Sequence, residues 1–342
     1  MVPLADIWAF PALFGKIFYT IVLPIMLLVG TGWLIQRKLG LDMVTLKRLN
    51  FYFLMPGIIF YSVITSSLSG QQVVTVIGFA VALILCVGTL TLTAAAVFKI
   101  PKNQRSAMLL TTILNNSGNY GLPLQQFAFG ARGAQAASMQ AFVMITQNIF
   151  TFTVGVLIAA GGRNGKSWKS NLLHVLKFPP VYAVVAGLIF VQVGRWMSQE
   201  QSAALGEWLT PFWKYLIYVK DTFIGIALVT LGAQLALIKR GAVKYPVALS
   251  VAFRLVLGPA VGLIIIHVFD AVFGISGFTA RMLMVASSTP TAVNCMLLTL
   301  EFDNHPEYTA KAVFWSTMLS PITVTAVVFL TKVQLFPVFS MT

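Results

Sequence analysis

Hydrophobic residues in this chain fall into ten stretches of about twenty residues, separated by short polar segments. Stretches of this length and apolarity are typical of α-helices that cross a lipid bilayer. The sequence therefore predicts an all-α polytopic membrane protein with ten transmembrane helices. The predicted spans, in order, are about Ile17–Ile35, Leu46–Ser66, Val73–Phe98, Arg105–Gly130, Ala136–Ala160, Leu172–Val193, Phe212–Ile238, Val247–Phe269, Phe278–Leu300 and Thr309–Thr331.

Two of these spans are interrupted by residues that are costly inside a membrane. The fourth contains Asn115–Pro123, and the ninth contains Ser287–Thr291 followed by Asn294. Gly admits unusual backbone angles, Pro removes a hydrogen-bond donor, and hydrocarbon offers no partner for the freed groups. We therefore expect helices 4 and 9 to stop and restart around a protein-lined cavity, as at transporter substrate sites. The alternative is that Asn115–Pro123 is a long aqueous loop between two short helices.

The two interruptions occupy equivalent positions in the two halves of the chain. A polar, basic segment after the fifth span divides the chain into residues 1–160, a cytoplasmic connector at 161–171, and residues 172–342. Each half holds five spans, and the fourth of each five is interrupted. Because an odd number of spans makes a second copy enter the membrane upside down, the pattern predicts two inverted five-helix repeats.

Composition narrows the class of protein further. Hydrophobic residues make up 58% of the chain and charged residues only 9%, with a mean hydropathy of +0.86. Soluble domains carry about 25% charged residues. The net charge of +14 could suggest nucleic acid, but the basic residues cluster in short loops, so no nucleic-acid partner is predicted. Both cysteines, Cys86 and Cys295, fall in apolar spans, so neither a disulfide framework nor a metal site is predicted.

Lys and Arg are concentrated in alternate loops, which predicts the orientation. The opposite loops hold scattered single charges such as Arg132, Arg195 and Arg281. The positive-inside rule therefore places both termini outside, in a multi-pass protein of a bacterial inner membrane. The acidic loop Glu301–Glu307 lies on the predicted inner face, but acidic residues carry little weight in this rule. The first basic loop contains Arg37, Lys38, Lys47 and Arg48.

Polar residues at the two interruptions are the first candidates for a substrate site. Asn115 and Asn119 are four residues apart, as are Pro290 and Asn294, so each pair is predicted to project to one side of a helix. Asn amides both donate and accept hydrogen bonds, and helix N-termini at the breaks would attract an anion. The alternative role for these Asn side chains is to hold neighbouring helices together.

Other spans contain polar and charged residues that also need an explanation. Gln147 and Asn148 would add polarity at a similar depth in span five. Arg254, in span eight, suits a carboxylate substrate or, alternatively, a cluster of backbone carbonyls. Lys220 and Asp221 are adjacent, so their side chains are predicted to point about 100° apart and not to pair along one face. Asp221 is a candidate proton-coupling acid or, alternatively, an ion-pair partner of Arg254 or another span.

Three motifs resemble those of a known family. Gly118–Pro123 reads Gly-Asn-Tyr-Gly-Leu-Pro, Ser288–Ala292 precedes Asn294, and Arg254–Pro259 joins Arg-Leu to Gly-Pro. In these motifs the chain resembles the bacterial auxin efflux carrier family, which includes malate and malonate permeases. Neither interruption contains the Asn-Pro-Asn tripeptide of the plant auxin exporters, which argues against an auxin-like substrate.

The resemblance implies a fold related to that of bile-acid sodium symporters. Helices 4 and 9 would cross at their breaks within a transport core formed by helices 3–5 and 8–10. Helices 1, 2, 6 and 7 would form a scaffold, through which the protein would form a homodimer. Transport would be elevator-like, with the substrate held at the crossing.

The residues and the resemblance together predict a secondary active transporter of a small organic anion, either a carboxylate or an auxin-like compound. No cofactor is predicted, and coupling to protons or Na⁺ is left open. The alternatives are an anion-permeable channel and a sodium-coupled symporter of the bile-acid type. Gly274–Gly277 matches the Gly-x-Ser-Gly pattern of rhomboid proteases, but its Ser lies in a loop, so no enzyme is predicted. The predicted substrate contacts are Asn115, Asn119, Gly121, Pro123, Ser288, Pro290, Asn294 and Arg254, with Asp221, Lys220, Gln147 and Asn148 in coupling or secondary roles.

Overall fold

The computed structural model of the chain describes residues 9–65, 68–160, 179–238 and 245–340. The predicted connector at residues 161–171 lies outside this part. Every regular element of the described residues is a helix, which confirms the predicted all-α class. The α-helices are α1 (Ala9–Ile17), α2 (Leu23–Leu39), α3 (Met43–Leu49), α4 (Met55–Thr65), α5 (Gly70–Val97), α6 (Arg105–Ile113), α7 (Gly121–Phe129), α8 (Gly133–Phe150), α9 (Val156–Ala159), α10 (Pro179–Trp196), α11 (Gln199–Trp208), α12 (Thr210–Ala236), α13 (Tyr245–Ala252), α14 (Gly258–Phe273), α15 (Gly277–Ser287), α16 (Asn294–Glu301) and α17 (Pro306–Lys332).

Six helical segments among the described residues are long and apolar enough to cross a membrane alone, and they make the chain a multi-pass membrane protein. Predicted spans two, six and nine coincide instead with shorter helices, namely α3 with α4, α10, and α15 with α16. Predicted span four divides between the short α6 and the start of the long segment Gly121–Ala159, which also contains span five. The six long segments are Phe10–Leu39, Gly70–Val97, Gly121–Ala159, Thr210–Ala236, Tyr245–Phe273 and Pro306–Lys332.

Several of the long helices contain a wider π-helical turn beside a proline. Proline lacks an N–H, and its ring collides with the carbonyl four residues earlier in a regular α-helix. A π turn displaces that carbonyl and lets the helix continue. The sequence predicts a kink at Pro56, and the structure has a π turn there. Three π turns end two residues before a proline: Phe18–Val22 before Pro24, Asn50–Leu54 before Pro56, and Phe253–Leu257 before Pro259.

Two helical boundaries differ from the predicted spans. The first helix begins at Ala9, eight residues before the predicted start at Ile17. Its early part is stabilised by tertiary packing, because the Phe10 and Phe14 rings lie against Phe329 of α17. Helix α11 falls in a stretch predicted as a loop, because its polar, glutamine- and glutamate-containing sequence shows no apolar span.

The closest helix packing joins α2 to α12. Gly32 of α2 lies directly against the backbone of Val229, and Gly232 of α12 lies against the backbone of Val29 and Trp33. Glycines allow this approach because a Cβ at either position would collide with a backbone carbonyl of the other helix. Elsewhere α4 packs on α10 and α12, and α5 packs on α6, α8 and α14.

Candidate functional site

The two interrupted segments meet and pair with each other. Helix α6 ends at Ile113 and α7 begins at Gly121, while α15 ends at Ser287 and α16 begins at Asn294. Between these ends, the Asn116 N–H donates to the Pro290 carbonyl at 2.7 Å, and the Ala292 N–H donates to the Leu114 carbonyl at 3.0 Å. The pairing is a single antiparallel bridge between Asn115 and Thr291. It satisfies backbone groups that would otherwise be unpaired in the membrane.

We call the place where Leu114–Asn116 pair with Pro290–Ala292 the crossing. Buried side chains stabilise it on the side away from the cavity described below. The Thr291 hydroxyl donates to the Thr111 carbonyl at 2.9 Å, and its N–H donates to the Ser316 hydroxyl at 3.1 Å. The Gln140 amide donates to the Ser117 carbonyl at 2.9 Å. Only glycine fits at position 121, because a Cβ there would collide with the Gln140 amide. These hydrogen bonds fix the backbone of the crossing and therefore the positions of the polar groups that it presents to the neighbouring cavity.

One side of the crossing borders a small polar cavity of about 40 Å³. The cavity admits a few water molecules, since one water requires about 10–15 Å³ on the same measure. It lies between the crossing and helices α3, α8, α12 and α16. Its lining residues are Lys47, Phe51, Met55, Asn115, Asn116, Ser117, Gly118, Asn119, Met144, Gln147, Asn148, Thr151, Gln234, Ala292, Val293, Asn294 and Leu297.

Several amide atoms on this lining are buried and have no hydrogen-bond partner in the structure. They are Asn115 Oδ1, Asn116 Nδ2, Gln147 Oε1 and Gln234 Oε1. A buried polar group without a partner costs about 1–3 kcal/mol, so such groups call for an explanation. They are three acceptors and one donor, so a bound water or a ligand with hydroxyl groups could pair with them.

Lys47 is the only charged residue on the described lining of this cavity, and that lining contains no acid. The ammonium group is therefore the one full charge on this described lining, whereas three of the four unpartnered amide atoms are hydrogen-bond acceptors.

Five of the predicted site residues lie on the cavity lining: Asn115, Asn119, Asn294, Gln147 and Asn148. Asn115 and Asn119 do so through a backbone that is not helical, so the predicted projection from one helix face does not apply to them. The Asn119 Oδ1 accepts from Asn50 Nδ2 at 3.2 Å, and Gln147 Nε2 donates to the Ile113 carbonyl at 3.4 Å. The structure thus brings residues from both halves of the chain to one place.

The other predicted contacts lie beside the cavity and shape the backbone. Pro123 is buried in the first turn of α7, and the buried Ser288 hydroxyl donates to the Val285 carbonyl at 2.7 Å. The Pro290 carbonyl is used in the bridge, as described above. Arg254 is also absent from the described lining, because its guanidinium lies among backbone carbonyls behind the crossing.

The prediction that Lys220 and Asp221 do not pair is wrong. Lys220 Nζ lies 2.7 Å from Asp221 Oδ1, and the Asp221 side chain is 62% exposed. The two Cα–Cβ bonds diverge, but four methylene groups let the lysine side chain bend back to its neighbour. Asp221 therefore pairs with Lys220 rather than with Arg254, and neither residue lines the cavity described above.

Lys47 and Gln234 are among the lining residues that were not predicted as site residues. Lys47 is counted in the sequence only as a loop charge, and its place on this lining depends on how α3 packs. Gln234 could have been noticed as a polar residue within the apolar span of α12. The Ser of the rhomboid-like motif has a structural role, since Ser276 Oγ accepts from the Thr279 N–H at the start of α15.

A second cavity, of about 190 Å³, lies at the ends of α7 and α15 that are remote from the crossing. We call it the basic pocket, because its lining includes Arg132, Arg281 and Lys332 and, among the described residues, no acid. The Arg132 guanidinium lies 3.6 Å from the centroid of the Phe278 ring. Charges that are scattered singly along the sequence therefore converge here, and only tertiary packing reveals it.

Two pairs of helix ends that meet beside a polar cavity in a multi-pass membrane protein are typical of membrane transport proteins. Residues 17–169 and 165–328 match the family described as "Membrane transport protein". The chain therefore belongs to this family of auxin efflux carrier-like transporters, which confirms the resemblance seen at Gly118–Pro123.

Two archaeal proteins illustrate how far the similarity extends. A protein of Methanocaldococcus jannaschii, described as an uncharacterized transporter, is 25% identical over 282 residues, which cover 80% of this chain and 85% of the relative. An uncharacterized transporter of Methanothermobacter thermautotrophicus is 24% identical over 313 residues, which cover 87% of this chain and 93% of the relative. The similarity therefore extends over most of each protein.

Proposed function

We propose that this protein is a secondary transporter that carries a small organic anion, and that the anion binds in the cavity at the crossing. The observation that carries this proposal is that Lys47 is the only charged residue on the described lining, where Asn116 Nδ2 is also a donor without a partner. The Asn116 amide can donate to a carboxylate oxygen, and the Lys47 ammonium group supplies the opposite charge. The three unpartnered amide oxygens would accept from water or from a hydroxyl group of the anion. A cation would find no carboxylate on the described lining.

The basic pocket supports the same sign of substrate charge. Arg132, Arg281 and Lys332 lie at one end of the interrupted helices, and Lys47 lies by the crossing. In the orientation that the loop charges predict, the basic pocket faces outside. Clustered positive charge at the entrance of a substrate pathway raises the local concentration of anions and speeds their association.

We further propose that the chain forms ten spans in two inverted repeats, with a core that moves against a scaffold. The packing supports this arrangement because α2, from predicted helix 1, lies on α12, from helix 7, while α4, from helix 2, lies on α10, from helix 6. In two five-helix repeats, helix 1 corresponds to helix 6 and helix 2 to helix 7. The pair formed by helices 1 and 7 is therefore the counterpart of the pair formed by helices 6 and 2. Helices 1, 2, 6 and 7 would be the scaffold and would form the surface of a homodimer.

The size of the cavity supports a carrier over a permanently open channel. A space that admits only a few water molecules is too small to be an open pore. Movement of the core relative to the scaffold would open it on one side at a time. A channel requires a continuous path, and a large, non-saturating anion flux in liposomes would favour that alternative.

Purified protein is expected to be stabilised by anions and not by cations. Malonate, malate and indole-3-acetate would be compared with choline in a thermal-shift assay, each with and without sodium. At a concentration of about a hundred times Kd, a ligand stabilises by about 2.7 kcal/mol, which raises Tm by several degrees. Saturable counterflow of the stabilising anion in liposomes would establish a carrier. Stabilisation by choline, without any by an anion, would contradict the proposal.

Replacing Lys47 with glutamine is expected to weaken anion binding by about tenfold, because one charge-assisted contact is lost. The measurement is the Kd of the stabilising anion. Lys214→Gln, on the exposed surface of α12, is the matched control and should leave the Kd unchanged. Equal affinity in the wild type and Lys47→Gln would show that Lys47 does not contact the substrate.

Replacing Arg132 and Arg281 together with glutamine is expected to raise the KM for uptake from the predicted outer side and leave kcat nearly unchanged. Electrostatic attraction affects the arrival of substrate, and salt screens it over about 8–10 Å. The wild-type KM should therefore rise with ionic strength, while the KM of the double variant should respond less. Arg195→Gln, on the same predicted face, serves as control. A double variant with the wild-type KM and salt response would exclude this role.

A further inference from the structure

Arg254 is a buried cation whose partners are backbone carbonyls. Its side chain is 1% exposed, and it lies in the π turn between α13 and α14. Nη1 donates to the Thr112 carbonyl at 3.1 Å, Nη2 donates to the Ser287 carbonyl, and Nε has no hydrogen-bond partner. Neither of the two ion pairs found among the described residues includes it. The guanidinium charge is thus balanced by carbonyl dipoles.

The two carbonyls belong to the ends of two different helices. Thr112 lies in the last turn of α6, and Ser287 is the last residue of α15. The last carbonyls of a helix lack intrahelical partners and carry the negative end of its dipole. The two C-termini therefore converge on one point behind the crossing, where a positive charge is favourable.

The surrounding helix leaves room for this arrangement. A Cβ at Gly258 would meet the Arg254 guanidinium, and a Cβ at Gly262 would meet the Ser287 side chain. Both glycines lie on α14, one turn apart, and their lack of side chains lets the arginine and the end of α15 come close. The site is therefore built for a planar cation at this position.

We propose that Arg254 is a resident cation that neutralises the two helix C-termini, so that the crossing forms and binds its ligand without a sodium ion. Backbone carbonyls are the ligands that a hard metal cation prefers, and here the guanidinium already occupies them. Arg254 is accordingly a positioning residue and not a substrate contact. The part of this inference that concerns ligand binding rests on the proposed function, whereas the cation site itself does not.

The first test uses the wild-type protein. Its Tm should be the same in sodium chloride and in choline chloride of equal ionic strength, and so should the increase in Tm produced by malonate. A requirement for sodium in either measurement would overturn the proposal. If malonate does not bind, the proposed substrate class is affected, but the comparison of Tm values without malonate still tests the cation site.

The second test removes the guanidinium and supplies it again from solution. Arg254→Ala should lower Tm by about 5 °C or more, and millimolar guanidinium chloride should restore part of that loss, while choline chloride should not. Arg281→Ala is the matched control, because that arginine donates to the Gly277 carbonyl at the opposite end of α15. Its Tm should not respond to guanidinium. Equal responses of the two variants, or no response of Arg254→Ala, would overturn the proposal.

A third comparison applies even when Arg254→Ala cannot be purified. Arg254→Lys keeps the charge and Arg254→Met keeps only the apolar length, so the lysine variant should have the higher Tm by several degrees. Equal Tm values, or a higher value for Arg254→Met, would show that the positive charge is not what stabilises the two helix ends.

Discussion

Replacing Gly232 with alanine is expected to cause a loss of stability of about 3 kcal/mol or more, at or beyond the usual upper limit for overpacking. The added Cβ would collide with the backbone carbonyl of Val29 and approach the Trp33 nitrogen. A backbone atom cannot move aside as a flexible side chain does, so α2 and α12 must separate. Gly32→Ala should act similarly, because its Cβ would collide with the Val229 carbonyl.

The measurements are Tm and the amount of monodisperse protein after detergent extraction. Gly30→Ala on α2 and Gly225→Ala on α12 are matched controls, since nothing lies near their Cβ positions. Alanine favours a helix over glycine by about 1 kcal/mol, so the controls should be neutral or slightly more stable. If Gly232→Ala retained the wild-type Tm, the close approach of these helices would be incorrect.

Replacing Asn119 or Asn294 with alanine is expected to reduce transport by about tenfold or more while the protein remains folded. Both side chains line the cavity, and each loses a hydrogen-bonding group worth about 1–3 kcal/mol to a bound ligand. Counterflow in liposomes, normalised to the amount of folded protein, measures the effect. Tm should change little for Asn294→Ala, whereas Asn119→Ala also removes the acceptor of the buried Asn50 Nδ2 and should lower Tm by a few degrees.

Asn304→Ala provides the matched control for these two variants. Asn304 Nδ2 donates to the Ala159 carbonyl at 2.7 Å and lies outside the cavity lining, so its loss should lower Tm without changing KM. If transport by the Asn119 and Asn294 variants falls only in proportion to folded protein, these amides hold helices together and do not bind substrate.

Features that depend on local composition could be predicted from the sequence. Apolar stretches longer than a membrane is thick predict helices, and Asn115–Pro123 predicts an interruption because Gly and Pro act on their own backbone. The all-α class and the family were confirmed in this way. The same segment contains three of the Asn residues that line the cavity, Asn115, Asn116 and Asn119. They reach the cavity from a non-helical backbone and not, as predicted, from one face of a helix.

Features that depend on long-range packing could not be predicted. The sequence left two roles open for Arg254, a carboxylate contact and a cluster of backbone carbonyls. Its partners come from positions 112 and 287, so only the meeting of three helices decided between them. The convergence of Arg132, Arg281 and Lys332 likewise has no local signal. The pairing of Lys220 with Asp221 depended on the flexibility of a lysine side chain, which the helical angle between Cα–Cβ bonds does not describe.

The sequence alone therefore determined that this protein crosses the membrane many times, that helical structure stops within Asn115–Pro123 and near Ser287–Thr291, and to which family it belongs. Each of these follows from the free energy of placing short stretches of chain in hydrocarbon, which is a local property. The tertiary structure alone decided that the two interruptions pair through Asn116 and Pro290, and that Lys47 and Gln234 share their cavity. Side chains that are far apart in sequence come together only through the packing of whole helices, and that packing also determines which polar groups remain available to a ligand.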